Sequence, residues 1–196
     1  PGNLDELFLA LLYGAAVLPI IVLTISTAAL GNDLEDRTLS NLTLTPVARW
    51  EIILPKLAAA VTIAAPPVLV SAVVTASLAY DGDAKVIASV ILGMTLAILA
   101  YAALFLWLGL ATGRALGYGL MYVFLWEFLF TGFVTGIRFL SIRAYMIGVI
   151  RGVDDSRFVD DADQIISFPV SVIVLLAIII IFTGLAIRHL RTMDVP

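Results

Sequence analysis

Five long apolar runs, Leu7–Leu30, Leu57–Tyr80, Val86–Gly113, Tyr118–Gly136 and Phe168–Ile187, alternate with polar connections of unequal length. Four contain no charged residue, and the fourth in order contains one, Glu127. Each is long enough to cross a bilayer, for which a helix needs about 20 mostly apolar residues. In hydrocarbon every backbone amide and carbonyl must be satisfied internally, so continuous runs of this kind become helices. A barrel is excluded because the runs lack the apolar/polar alternation of barrel strands. The pattern therefore predicts an all-α, polytopic membrane protein with five spanning helices and one transmembrane domain over residues 1–196.

Proline interrupts this pattern at Pro19 and at Pro66-Pro67, near the middle of the second run. Each proline removes an amide and crowds the preceding turn. Such positions persist in a membrane only where something else satisfies the freed carbonyls. The residues are compatible with a packing kink, a hinge or a feature of a translocation path.

The connections differ in character. A 26-residue polar segment, Gly31–Lys56, follows the first run, and short turns at Asp81–Lys85 and Arg114–Gly117 follow the next two. A second long segment, Ile137–Ser167, precedes the last run, and Arg188–Pro196 forms the tail. Spanning alternation places Arg37, Arg49, Lys56, Arg114, Arg188 and Arg191 on one side, against Lys85, Arg138, Arg143, Arg151 and Arg157 on the other. Six against five votes narrowly for a cytoplasmic Gly31–Lys56 and C-terminus.

Within Gly31–Lys56, local rules predict two short helices. Asn32 or Asp33 can cap a helix through Leu34–Leu44, with Asp33, Glu35 and Asp36 near its positive end. Pro46 ends that piece, and Thr45 and Pro46 then serve as N-cap and first residue of a second helix. That second helix carries Val47, Trp50, Ile53 and Leu54 on one face, and Pro55 bends it towards the bilayer. The segment reads either as a docking surface for a soluble partner or as a solvated loop with Trp50 anchored at the interface.

Composition narrows the functional classes. The chain is 62% hydrophobic and 13% charged, with a mean hydropathy of +1.10; soluble domains carry about 25% charged residues. There are no cysteines, which excludes disulfides and thiolate chemistry. A net charge of −4 without a basic run argues against nucleic acid as a partner. The polar start PGNLDE lacks the basic region of a signal peptide. Catalysis within the membrane is disfavoured because the runs hold one Glu and no Asp or His, so no ionisable pair is available.

Glu127 is costly at mid-membrane, about 2.5–3.5 kcal/mol on insertion scales. It must face protein or water, as a gate or substrate contact or as a hydrogen-bonded packing group. Ile137–Val153 mixes apolar residues with Arg138, Arg143 and Arg151 and fits an outer interfacial or partly re-entrant piece. The five aspartates of Asp154–Asp163 lack the calcium-loop spacing and read as a solvated turn. His189 has no second ligand and belongs with Arg188 and Arg191 in a basic anchor. Asn41-Leu42-Thr43 matches a glycosylation acceptor, but on the cytoplasmic side it is a chance match. Gly109, Gly113, Gly117 and Gly119 are read as sites of close helix approach.

One string in the polar segment is more specific: Glu35-Asp36-Arg37-Thr38-Leu39, then Leu42-Thr43-Leu44-Thr45-Pro46-Val47-Ala48-Arg49-Trp50-Glu51-Ile52, then Lys56. Together with Phe139-Leu140-Ser141-Ile142-Arg143-Ala144-Tyr145 and the Trp126-Glu127 pair, it resembles the permease subunits of type-2 ABC transporters along the whole chain. Those permeases generally have six spans, and the missing one would be the first, which fits a chain starting at Pro1. Pro55 stands where relatives often carry glycine.

The resemblance implies a non-enzymatic permease subunit, most simply of an exporter, in the cytoplasmic membrane of a prokaryote. It forms half of a dimeric pathway with a second permease subunit, identical or homologous. A separate ABC ATPase subunit holds ATP and Mg, and this chain holds no cofactor; the chain has no phosphate loop of its own. Asp33, Glu35, Asp36, Arg37, Thr38, Leu39, Pro46, Arg49 and Trp50 are then the expected ATPase-coupling residues. Glu127, Arg138, Arg143 and Tyr145 are the expected pathway or gate residues, with no metal site. By the same resemblance, the apolar half of Ile137–Ser167 is expected to form short outer helices. The alternative of another class is a structural helical subunit of a larger membrane complex that transports nothing.

Overall fold

The computed structural model describes residues 17–35, 48–112, 114–125, 141–153 and 166–192, with the backbone alone for 29–35, 79 and 192. All six elements are helices, with no strand among the described residues. They are α1 (Leu18–Glu35), α2 (Arg49–Ala79), α3 (Ala84–Ala111), α4 (Ala115–Met121), α5 (Ile142–Val153) and α6 (Phe168–Thr192). Three of them, α2, α3 and α6, are long and apolar enough to cross a membrane. Leu18–Ala28 and Ala115–Leu125 are shorter apolar helices, and the remainders of the first and fourth predicted runs lie outside the described residues.

α3 is the axis of the bundle and packs against all five other helices. Small residues make this possible. Ser89, Gly93, Ala97, Ala100, Ala102, Ala103 and Gly109 are buried along it, so neighbouring backbones approach closely. Aromatic rings fill the wider gaps: Tyr101 stacks on Phe105 at 5.8 Å, Phe105 meets Tyr122 edge-on at 6.3 Å, and Trp107 meets Phe182 of α6 at 5.3 Å.

α2 turns one stripe inwards: Ile53, Leu57, Ala60, Ala64, Val68, Ala72 and Ala76, repeating every three or four residues. The α2–α3 connection is tighter than the sequence predicts. Asp81 (φ 53°) and Gly82 (φ 73°) reverse the chain in the left-handed region, where Gly is free of strain and Asp is among the tolerated residues. The Gly82 amide closes α2 by donating to the Ser77 carbonyl (2.9 Å), and the Asp83 carboxylate caps α3 by accepting from the Lys85 amide (2.9 Å).

Four boundaries correct the sequence reading. α1 runs unbroken through Gly31, Asn32 and Asp33 to Glu35, so neither Asn32 nor Asp33 starts a new helix. A single glycine costs about 1 kcal/mol in a helix, too little to end one already nucleated. α2 begins at Arg49 after an extended Ala48 (φ −64°, ψ 135°) that makes no side-chain cap. A second helix starting at Pro46 is therefore replaced by one starting three residues later; Thr45 and Pro46 themselves lie outside the described residues. That helix does not stop at Pro55 but continues to Ala79, so the Trp50 turn and the second span form one rod. Pro55 deprives only the Glu51 carbonyl, one turn from the helix start, where water can replace the lost donor. Finally, the third connection shortens to Thr112–Arg114, because α4 already begins at Ala115.

The fourth run also changes form. After Met121 the helix widens into a π turn over 122–125, a feature that interrupts an α-helix locally and often accompanies functional sites.

Candidate functional site at the two ends of the bundle

Contacts set the directions of the helices. The four-residue turn makes α2 and α3 antiparallel. Gly93 of α3 lies against Met146 and Ile150 of α5, and Gly148 of α5 lies against Ser171 of α6. Farther along both long helices, Trp107 meets Phe182. α3 and α6 therefore run parallel, with α5 wedged between their N-terminal halves.

The bundle thus has two chemically distinct ends. One gathers the start of α2 with Arg49 and Trp50, the α3–α4 turn with Arg114, and the end of α6 with Arg188 and, in its last turn, His189 and Arg191. Cations suit the negative C-terminal end of α6, which explains why that helix runs on through 192 instead of ending with the apolar run. The other end gathers Asp81, Asp83 and Lys85 with α5 and its Arg143 and Arg151. This is the partition on which the six-to-five charge vote rests, among the described residues.

At the first end, Trp50 is 50% exposed and Leu54 43% exposed, whereas Ile53 is fully buried. The common face expected for Trp50, Ile53 and Leu54 therefore splits. A 100° step per residue turns Ile53 towards the bundle and leaves Trp50 and Leu54 outward. Arg49 is half-buried, and its Nη1 is buried without a hydrogen-bond partner among the described residues. A guanidinium offers five donors, and a buried one left unsatisfied costs free energy. Asp33 and Glu35 lie in the last described turn of α1. Asp36, Arg37, Thr38, Leu39 and Pro46 lie outside the described residues.

At the other end, the Leu-Ser-Ile-Arg-x-Tyr string acquires a physical meaning. The Ser141 side chain accepts from the Ala144 amide (3.3 Å) and caps α5. Ile142, Tyr145, Met146 and Val149 then share the buried face at i, i+3, i+4 and i+7, with Arg143 and Arg151 less buried. The arginines of Ile137–Val153 give no clean polar face as a set, but over α5 alone the apolar face is clean. Tyr145, 6% exposed, has its phenol pushed above the ordinary value by burial. Glu127 and Arg138 lie outside the described residues; of the expected gate set Arg143 and Tyr145 are described, on one helix but on different faces of it.

The close approaches fall mostly on glycines that run-by-run reading passes over. A Cβ at Gly93 would lie 2.6 Å from Ile150 Cγ1 and 3.1 Å from the Met146 carbonyl oxygen; one at Gly148 would lie 2.9 Å from the Ile166 carbonyl oxygen. Gly152 similarly admits Phe168, and Gly119 admits Leu23, as expected for Gly119. Gly117 faces open space and makes no close approach; Gly113 lies outside the described residues. The missed signal was spacing between elements, which a single run does not display. No cluster of His, Cys, Asp and Glu able to hold a metal occurs among the described residues.

A helical bundle with apolar helices of spanning length and a small-residue core, the charges of its described residues gathered towards its two ends, defines a multi-pass membrane protein. Its sequence matches the family model described as ABC-2 family transporter protein over residues 6–195. The chain belongs to that family, and its class is the permease component of an ABC transporter. Comparison with curated proteins and with solved structures returned no match.

Proposed function

We propose that this chain is the permease subunit of an ATP-driven exporter, forming half of a dimeric pathway and driven by a separate ATPase subunit. The family match over nearly the whole chain carries the reading. In it, five helices span the cytoplasmic membrane of a prokaryote, the C-terminus is cytoplasmic, and residues 31–56 couple the ATPase to the bundle. The single rod from Arg49 to Ala79 supports the coupling role. A push at Trp50 would be delivered along one continuous helix into the membrane as far as Pro66-Pro67, whereas two separate helices would absorb it at their joint. The under-satisfied Arg49 guanidinium and the exposed Trp50 and Leu54 supply a charged anchor beside an apolar one, the combination that dominates interface energetics.

The experiment is affinity purification of the tagged chain from native membranes, with ATPase activity measured in the eluate. The unaltered chain should bring down a nucleotide-binding subunit. Glu35→Ala with Asp36→Ala, or Arg49→Ala alone, should reduce its recovery several-fold at equal permease content. Unchanged recovery and unchanged transport-linked ATPase activity in both variants would remove the coupling role.

A further inference from the structure

Pro66 and Pro67 remove two adjacent donors from the backbone ladder of α2. In an α-helix each carbonyl accepts from the amide four residues on. Pro66 removes the donor for the Thr62 carbonyl and Pro67 the donor for the Ile63 carbonyl. For Ile63 the three-residue alternative is also lost, because that position is Pro66. The face that carries these carbonyls is turned away from the bundle. Thr62, Pro66 and Pro67 are exposed and Ile63 is 61% exposed, opposite the buried Ala60, Ala64 and Val68. The Thr62 hydroxyl does not help, since it donates to the Ala58 carbonyl at 2.7 Å.

The break lies at the middle of the apolar stretch Arg49–Leu78, far from either interface. Hydrocarbon offers no donor there, and each unsatisfied backbone group in lipid costs several kcal/mol. Among the described residues, the threonines of a second copy offer little more. The hydroxyls of Thr24, Thr62, Thr75 and Thr95 already donate to the Ile20, Ala58, Ser71 and Ile91 carbonyls of their own helices, and the Thr183 oxygen is buried. Water is a small donor and the one that fits. The contrast with α6 is direct. Its only proline, Pro169, sits in the first turn where the amide is not needed, and its outward Ile173, Leu176, Ile180 and Ile181 cover an unbroken ladder.

We propose that the exposed face of α2 around Thr62–Pro67 lines a water-filled cavity at mid-membrane, whereas the exposed face of α6 meets lipid. The proposal rests on the permease reading for what the water serves, a pathway, but its test is independent of that reading.

These 196 residues contain no cysteine, so each substitution adds one thiol to them, labelled in native membranes and read on the affinity-purified protein against the unsubstituted one. The variants are Thr62→Cys, Ile63→Cys and Val70→Cys on α2, Ile173→Cys and Ile180→Cys on α6, and Ala64→Cys in the core as a check on folding. The probe is a membrane-impermeant, quaternary-ammonium methanethiosulfonate. Thiolate is the reactive form and apolar surroundings suppress it, so the α2 sites should react at least about tenfold faster than the α6 sites. Ala64→Cys should stay unreactive until the membranes are dissolved in denaturant. Equal, slow labelling of both helices, with full labelling after denaturation, would overturn the proposal. So would exclusion of the probe together with efficient disulfide cross-linking of Thr62→Cys between two copies, which would show the face covered by protein. Slow labelling while an ATPase still co-purifies would sink the cavity alone, whereas fast labelling with no ATPase partner would sink the permease reading and leave the cavity standing.

Discussion

The two long helices α3 and α6 run parallel and touch along their length, yet their surroundings are opposite. Of the apolar stretch of α3, 61% is buried inside the protein; of that of α6, only 17% is, although α6 is the more apolar. In water this order would be reversed, because burial would follow hydrophobicity. In a bilayer the lipid tails are as apolar as leucine, so removing a side chain from them releases no hydrophobic free energy. Packing then decides, and packing favours helices that other backbones can approach. α3 is central because it is rich in Gly, Ala and Ser; α6 is peripheral because bulky Ile and Leu suit lipid.

This contrast can be tested directly, and the largest effect should come from emptying the centre. Phe105→Ala removes a fully buried ring that touches Tyr101 and Tyr122 and should destabilise the protein by about 3–5 kcal/mol. Ile180→Ala, at a position 70% exposed, should change stability by less than about 0.5 kcal/mol. Thermal unfolding in one detergent measures both, and comparable losses would end the comparison.

Next come the glycines. Gly148→Leu pushes a side chain into the Ile166 carbonyl and Ser171 and should cost about 1–3 kcal/mol or more. Gly117→Ala, in open space within α4, should be neutral or stabilise by up to about 1 kcal/mol. The same unfolding assay distinguishes them, and a destabilised Gly117→Ala would point to a neighbour at that face.

A smaller effect is expected from Ser141→Ala, which removes the α5 cap and should cost about 1 kcal/mol. Hydrogen exchange of the first α5 turn reads it more locally than global unfolding. The smallest effect is a pH dependence. Because burial raises the Tyr145 phenol above its ordinary value, folding favours the neutral form. Its contribution is complete below about pH 10 and is lost as pH rises above that towards the folded-state value. The difference in stability between the unaltered chain and Tyr145→Phe should be flat up to about pH 10 and change above it. A flat difference throughout would remove Tyr145 from the buried face of α5.

Much was legible along the chain because it depends on solvent and neighbours in sequence. Continuous apolar runs demand helices in hydrocarbon whatever packs against them. The string from Glu35 to Lys56 and the Leu-Ser-Ile-Arg-x-Tyr string are local and carried the family resemblance. Local rules failed where continuity outweighed them. A new helix capped at Asn32 or Asp33 and a separate short helix bent at Pro55 both lost to helices already propagating, since adding a residue to a formed helix is cheap and one missing hydrogen bond is tolerable.

What the amino-acid sequence determined by itself is the class of solvent, the helical secondary structure and the transporter family, all properties of composition and short-range pattern. Only the tertiary structure decided which apolar helix is the axis, that Gly93 and Gly148 are the points of contact, that Ile53 turns in while Trp50 stays out, and that Pro66-Pro67 face outward. Those depend on distances between elements far apart in the chain, and in lipid, hydrophobicity alone cannot rank one apolar face above another.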